Sequence, residues 1–318
     1  MSLTKNVILE NNKKYKNLSD AYLGSPIGLI KWRFERLFKM KDLSFKMTVV
    51  ENPEIEYIKF NKTNTTITWI GHATFLIQIN GLNIITDPVW ANRMGLEKRL
   101  VPPGIAISDL PEIDIVLISH NHFDHLDFNS IKNLKGNPRI YIPNGLRNLF
   151  LKSKLRNVEE VNWWDKKLFN QVEMTFVPTQ HWSKRTLWDT NRSLWGGWVI
   201  NKTYEDEKAI CFIGDSGYFK EIRDIGTKFN IGYVLVPIGC YEPEWFMSGT
   251  HMTPEEGINV YRELKADYFI PMHFEAFRMG DDTPKEALDR LEAEWKRCKI
   301  DMSALKTLNV GETIKVNH

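Results

Sequence analysis

Ile113-Asp114-Ile115-Val116-Leu117-Ile118-Ser119-His120-Asn121-His122-Phe123-Asp124-His125 is the stretch from which the rest of the chain can be read. An apolar strand runs directly into the pattern H-x-H-x-D-H. Imidazole nitrogens and carboxylate oxygens suit zinc and related transition metals. Four such groups within so short a run crowd a single ion. The spacing therefore predicts His120 and His122 facing one metal while Asp124 and His125 face a second.

Further ligands are expected at other strand ends, and the chain offers only eight histidines. His181 follows Phe176-Val177-Pro178-Thr179-Gln180, and His273 follows Phe269-Ile270-Pro271-Met272. Asp215 follows Cys211-Phe212-Ile213-Gly214, with Gly214 and Gly217 permitting a tight turn around it.

The remaining sequence supplies the frame. A chain of 318 residues that is 42% hydrophobic can bury a large core, which excludes disorder. A formal charge of +2 excludes the strong basic excess of a nucleic-acid binder. No apolar run approaches a membrane span, and Met1-Ser2-Leu3-Thr4-Lys5-Asn6 lacks the apolar stretch of a signal peptide. Cys211, Cys240 and Cys298 form neither a C-x-x-C pair nor an even set, so no disulfide framework is expected and a cytoplasmic location is.

Two parts are expected: an extension over residues 1–60 and a catalytic domain over 61–318. In the first, Asn11-Asn12-Lys13-Lys14 reads as loose, and Ser25-Pro26 opens an amphipathic helix to about Lys41. Ile27, Ile30, Phe34, Leu37 and Phe38 make its apolar face; Lys31, Arg33, Arg36, Lys39 and Lys41 make the other face basic. In the second, Thr66–Ile70, Thr74–Ile79 and Leu82–Thr86 read as strands, the latter two joined by the hairpin pair Asn80-Gly81. Seven later strands are expected from Ile113 to Met272, and capping boxes at Thr253 and Thr283 start two helices. Hairpins followed by strand–helix units give an α/β (α+β) architecture of sheets covered by helices.

The H-x-H-x-D-H motif, with His181, Asp215 and His273 following in that order, resembles the metallo-β-lactamase-fold hydrolases. The resemblance implies a four-layer αββα sandwich. It implies that His120, His122 and His181 hold a first metal, that Asp124, His125 and His273 hold a second, and that Asp215 bridges them. Trp69-Ile70-Gly71-His72-Ala73-Thr74, Gln180-His181-Trp182-Ser183-Lys184-Arg185 and Gly239-Cys240-Tyr241-Glu242-Pro243-Glu244-Trp245-Phe246-Met247 are similar to the phospholipase D branch that hydrolyses N-acylphosphatidylethanolamine. This implies a phosphodiesterase that releases N-acylethanolamine and phosphatidic acid by a metal-bridging hydroxide. The ions would be two divalent metals, zinc first, with manganese or iron as alternatives. A metal-dependent lactonase or phosphodiesterase acting on a small phosphorylated substrate is the alternative within the same superfamily.

Beyond the ligands, His251 lies two residues before the Thr253 N-cap, where a helix end attracts phosphate. It is expected either to hydrogen-bond a phosphoryl oxygen or to protonate the leaving alkoxide; with Asp215 it is the catalytic expectation. Asp87 is the expected acceptor behind a ligating imidazole. His72 is expected to serve packing and turn geometry, and the terminal His318 to be disordered. Trp182 and Trp245 are the expected substrate contacts, Trp195 and Trp198 sit in a strand, and Lys184 and Arg185 either steer an anionic headgroup or form a solvated face. For residues 27–41 two readings stand. The helix contacts a membrane peripherally, with Trp32 as an interfacial anchor, or Ile30, Phe34 and Leu37 pack against the catalytic domain.

Overall fold

The computed structural model describes residues 14–20, 24–95, 97–204 and 207–316. Asn11 to Lys13 and His318 lie outside them. Two sheets carry the fold. The first has seven strands in the order Thr313–Lys315, Thr66–Gly71, Thr74–Ile79, Leu82–Thr86, Ile115–Leu117, Arg139–Pro143 and Val158–Val161. The second has six: Tyr268–Met272, Ile231–Pro237, Ala209–Phe212, Gly197–Lys202, Val172–Val177 and Lys166–Phe169. Each sheet is antiparallel on one side and parallel on the other.

The alternation of side chains along a strand separates the layers. In Leu82–Thr86, Ile84 joins the core between the sheets while Ile85 joins the core under the outer helices; Leu117 and Val116 divide likewise. Phe75 of the first sheet meets Phe212 of the second edge to face, at 6.4 Å between ring centroids. Tyr141 meets Trp198 across the same seam. Helices Phe128–Asn133 and Arg147–Lys152 contribute Ile131 and Phe150 to the outer core of the first sheet. Helices Pro254–Leu264 and Pro284–Arg297 contribute Ile258, Leu264, Leu291 and Trp295 to the core around the second. The order is helix, sheet, sheet, helix.

Local signals act as the sequence predicts. Thr253 and Thr283 each close a capping box with the Glu three residues on, with Pro at the start of the helix. Asn80 and Gly81 take φ of 50° and 74°, the double left-handed turn that joins twisted antiparallel strands. Lys166–Phe169 and Thr313–Lys315 are strands that the sequence does not announce, because both lie at sheet edges with half-exposed, mixed side chains.

The N-terminal helix departs from its packing reading, and from the membrane reading only in the part given to Trp32. It spans Pro26–Arg36, shorter than the expected run to Lys41, with Ser25 accepting from the Gly28 N–H. Its buried residue is Trp32, stacked on Phe246 at 5.6 Å and packed with Cys240 and Met247. Trp32 is therefore no interfacial anchor. The apolar face is not packed either: Ile27, Ile30, Phe34 and Leu37 are 79%, 71%, 63% and 78% exposed. Packing is decided by the one large aromatic that finds a pocket, so the aliphatic stripe is left outward. No helix among the described residues is long and apolar enough to cross a membrane.

Candidate metal centre

The residues expected as ligands, with His72 and Asp87, sit just beyond strands. His72 follows Thr66–Gly71, Asp87 follows Leu82–Thr86, and the His120–His125 loop follows Ile115–Leu117. From the second sheet, His181, Asp215 and His273 lie beyond Val172–Val177, Ala209–Phe212 and Tyr268–Met272. The two sheets are fastened at this edge. The Ser119 carbonyl accepts from Gly196 N–H at 3.0 Å, and Trp198 Nε1 donates to the Ile118 carbonyl at 3.1 Å. Gly214, at φ 66°, lets the Asp215 strand approach the motif; a Cβ there would stand 2.7 Å from the Ser119 Cβ. His72, Asp87 and His273 also hold positive φ, of 56°, 33° and 66°. Such backbone costs of order 1–3 kcal/mol each and collects at functional sites.

The side chains converge in two groups. In the first, His122 Nδ1 lies 2.8 Å from His120 Nε2 and 3.1 Å from His181 Nε2. In the second, His125 Nε2 lies 3.1 Å from both Asp124 Oδ2 and His273 Nε2. Asp215 stands between them. Its Oδ2 is 3.2 Å from His125, 3.7 Å from His181 and 3.9 Å from His120, and its Oδ1 is 3.0 Å from His273. The structure thus brings together all seven residues expected as ligands. Ligand atoms of His120, His122, His181 and Asp215 fall within 4.8 Å of one another, as do those of His72, Asp124, His125 and His273.

Orientation comes from the far side of each ring. Asp87 Oδ2 accepts from His125 Nδ1 at 2.7 Å and also takes the Ser119 hydroxyl, while its Oδ1 takes the Ser119 N–H. The Thr250 carbonyl accepts from His181 Nδ1 at 2.9 Å. Each bond holds a proton on Nδ1 and aims Nε2 into the cluster. Arg185 Nη1 donates to the carbonyls of Asn121, at 2.9 Å, and Leu126, at 2.8 Å, so it braces the motif loop rather than forming a solvated face.

The electrostatics suit cations. Burial holds His120 and His181 well below the ordinary histidine value and brings His122 to about 4, so these rings offer lone pairs. In the second set burial is outweighed. The Asp215 and Asp124 carboxylates raise His125 well above its ordinary value and His273 to about 9, and both carboxyls stay well below theirs. Two buried carboxylates draw protons onto neighbouring imidazoles, a counter-charge that a divalent ion would replace. The buried, partnerless Nε2 of His122 belongs to the same donor-rich arrangement.

The remaining expected residues take the following places. His251 is buried, with Nδ1 4.0 Å from Asp215 Oδ2 and its ring 5.1 Å from His181 and 5.7 Å from His273. It stands at the junction of the two sets and is no surface loop residue. Burial lowers it to about 4. His72 does more than shape a turn: its Nε2 lies 3.0 Å from Asp124 Oδ2 and its ring 4.1 Å from His273. Its place after an apolar strand, which it shares with the expected ligands, is the sequence signal for that position. Trp182 flanks His122 at 4.7 Å. Trp245 meets Phe246 and lies 4.7 Å from Lys31 Nζ of the N-terminal helix. Trp195 and Trp198 are fully buried core residues.

Comparison with known proteins agrees with this geometry. Residues 82–274 match the family described as the beta-lactamase superfamily domain. The chain is 33% identical over 272 residues to N-acyl-phosphatidylethanolamine-hydrolyzing phospholipase D 1 of Caenorhabditis elegans, covering 77% of this chain and 74% of that one. It is 34% identical over 245 residues to the mitochondrial N-acyl-phosphatidylethanolamine-hydrolyzing phospholipase D of Saccharomyces cerevisiae, covering 72% of this chain and 52% of that one. Among solved structures, isothiocyanate hydrolase from Delia radicum gut bacteria superposes with a TM-score of 0.66 at 20% identity, over 78% of this chain and 98% of that one. That last likeness is one of fold.

Proposed function

Because the chain belongs to the metallo-β-lactamase superfamily and is a metal-dependent hydrolase, we propose that it is a phosphodiesterase of the phospholipase D type. Its substrate is N-acylphosphatidylethanolamine, and its products are phosphatidic acid and an N-acylethanolamine. The observation that carries the reading is the single Asp215 carboxylate reaching both histidine sets, joined to the two relatives above 30% identity that bear this activity in their names.

The residues fit two divalent ions: His120, His122 and His181 would hold one, Asp124, His125 and His273 the other, and Asp215 would serve both. Zinc suits this donor set best, and manganese or iron are accommodated by the same atoms. Such a pair supplies a water acidified toward neutrality and positive charge for the phosphoryl oxygens. The protein's part is orientation. Asp87, Ser119 and the Thr250 carbonyl hold the ligating rings in one tautomer. His251 faces the space beside Asp215, where its N–H meets a phosphoryl oxygen or the leaving oxygen. Water attacks phosphorus, the bond to the ethanolamine oxygen breaks, and that oxygen leaves as an alcohol with a proton. Trp182 stands half-buried beside His122, where it is proposed to contact the substrate. Neither Cys211 nor Cys240 competes as nucleophile, because burial pushes both thiols upward.

The enzyme is further proposed to reach its lipid from the cytoplasmic side, touching the bilayer through residues 27–41. Residues 1–60 would then form an extension on a catalytic domain of residues 61–318. The test is product analysis. Metal-loaded protein with N-acylphosphatidylethanolamine in mixed micelles should yield phosphatidic acid and N-acylethanolamine in equal amounts. Activity confined to small phosphorylated lactones or soluble diesters would replace this reading with the alternative one.

A further inference from the structure

A second polar site lies beside the N-terminal helix. Arg33, Phe34, Arg36, Leu37, Glu97 and Arg278 line an open cavity of about 710 Å³. Three arginines and one glutamate are among its lining residues. Among the described residues, Arg36 Nη1 and Arg278 Nε and Nη2 are buried without a hydrogen-bond partner. Arg36 is otherwise engaged: its Nη2 donates to the Arg278 carbonyl at 3.0 Å, and its Nε lies 3.7 Å from Asp281. Asp281 is shared with Lys39 at 2.8 Å, so it does not cancel the local positive charge.

The wall of this cavity is also the base of the apolar patch. Phe34 and Leu37 line it and are largely exposed, next to Ile27, Ile30, Phe38 and Met40 on the same segment. The stacking of Trp32 on Phe246 fixes the helix so that this face stays outward. A soluble anion would explain the arginines and leave the apolar side chains in water without reason. A phospholipid explains both, with its phosphate between guanidinium forks and its acyl region beside the aliphatic face.

We propose that the Arg33–Arg36–Arg278 cavity binds the phosphate of an acidic phospholipid and so seats the protein on an anionic bilayer, separately from the metal centre. This rests on the bilayer contact proposed above, not on the reaction assigned to the metals.

The experiment uses metal-loaded full-length protein and sedimentation with sucrose-filled vesicles, either phosphatidylcholine alone or phosphatidylcholine containing phosphatidylglycerol. Arg33→Gln/Arg278→Gln is expected to weaken binding to the anionic vesicles roughly 30-fold, about fivefold per charge, and to leave binding to neutral vesicles unchanged. Ile30→Ser/Phe38→Ser should weaken binding to both kinds. Arg33→Gln alone, at an exposed side chain, gives the fivefold effect even if the double variant folds poorly. Turnover of soluble bis(p-nitrophenyl) phosphate should match wild type. Equal binding of wild type and both arginine variants to anionic vesicles would overturn the proposal. So would calorimetric binding of inorganic phosphate that the arginine changes abolish while vesicle binding persists, since the site would then take a free anion. Vesicle binding without any phosphodiester hydrolysis by wild type would leave this site standing and remove the reaction reading.

Discussion

Asn17 and His181 exchange two hydrogen bonds across 164 residues: the Asn17 amide donates to the His181 carbonyl at 2.9 Å, and its Oδ1 accepts from the His181 N–H at 3.0 Å. The same Oδ1 lies 3.0 Å from Trp195 Nε1. A polar residue of the N-terminal segment therefore holds the backbone of a proposed ligand. Groups that orient ligands from behind typically contribute 10- to 100-fold in metal affinity. Asn17→Ala should weaken metal binding by about tenfold at the least, read by competition with a coloured chelator. Unchanged affinity would make Asn17 merely a fastening of the chain terminus.

His251→Ala should retain both metals and lose about 10² to 10⁴ in turnover, the usual range for a lost proton donor or acceptor. The check is steady-state kinetics beside elemental analysis of the same sample. Wild-type turnover would reduce this buried histidine to a packing role.

The N-terminal helix gives a paired prediction. Trp32→Ala empties a pocket lined by Phe246, Met247 and Cys240 and should cost about 3–5 kcal/mol, visible as a lower Tm. Phe34→Ser changes an exposed side chain and should stay within about 0.5 kcal/mol of wild type. Large destabilisation by Phe34→Ser would mean that the aliphatic face is covered after all.

Much of this was legible in the sequence because each signal is local. H-x-H-x-D-H after an apolar strand, Asn80-Gly81, and the boxes at Thr253 and Thr283 depend on neighbours a few residues away. The contacts of His72 and Arg185 were not legible because their partners are distant: Asp124 lies 52 residues from His72, and the carbonyls braced by Arg185 lie about 60 residues before it. The helix over residues 26–36 shows the same limit. Its amphipathic pattern is real, but which face meets the protein depends on Phe246, more than 200 residues away, accepting Trp32. Trp245 was grouped with the site by its neighbourhood in sequence, and a short helix at Glu244–Met247 turns it toward Lys31 instead.

The central claim is that one carboxylate joins two metal sites, and metal stoichiometry set against activity tests it most directly. Wild-type protein, titrated with zinc and measured by elemental analysis, should reach full activity only at two ions per chain. Asp215→Ala should lose metal and activity together, because its oxygens lie between 3.0 and 3.9 Å from histidines of both sets. Full activity at one tightly bound ion per chain, or an Asp215→Ala protein that keeps two ions and wild-type turnover, would contradict the account.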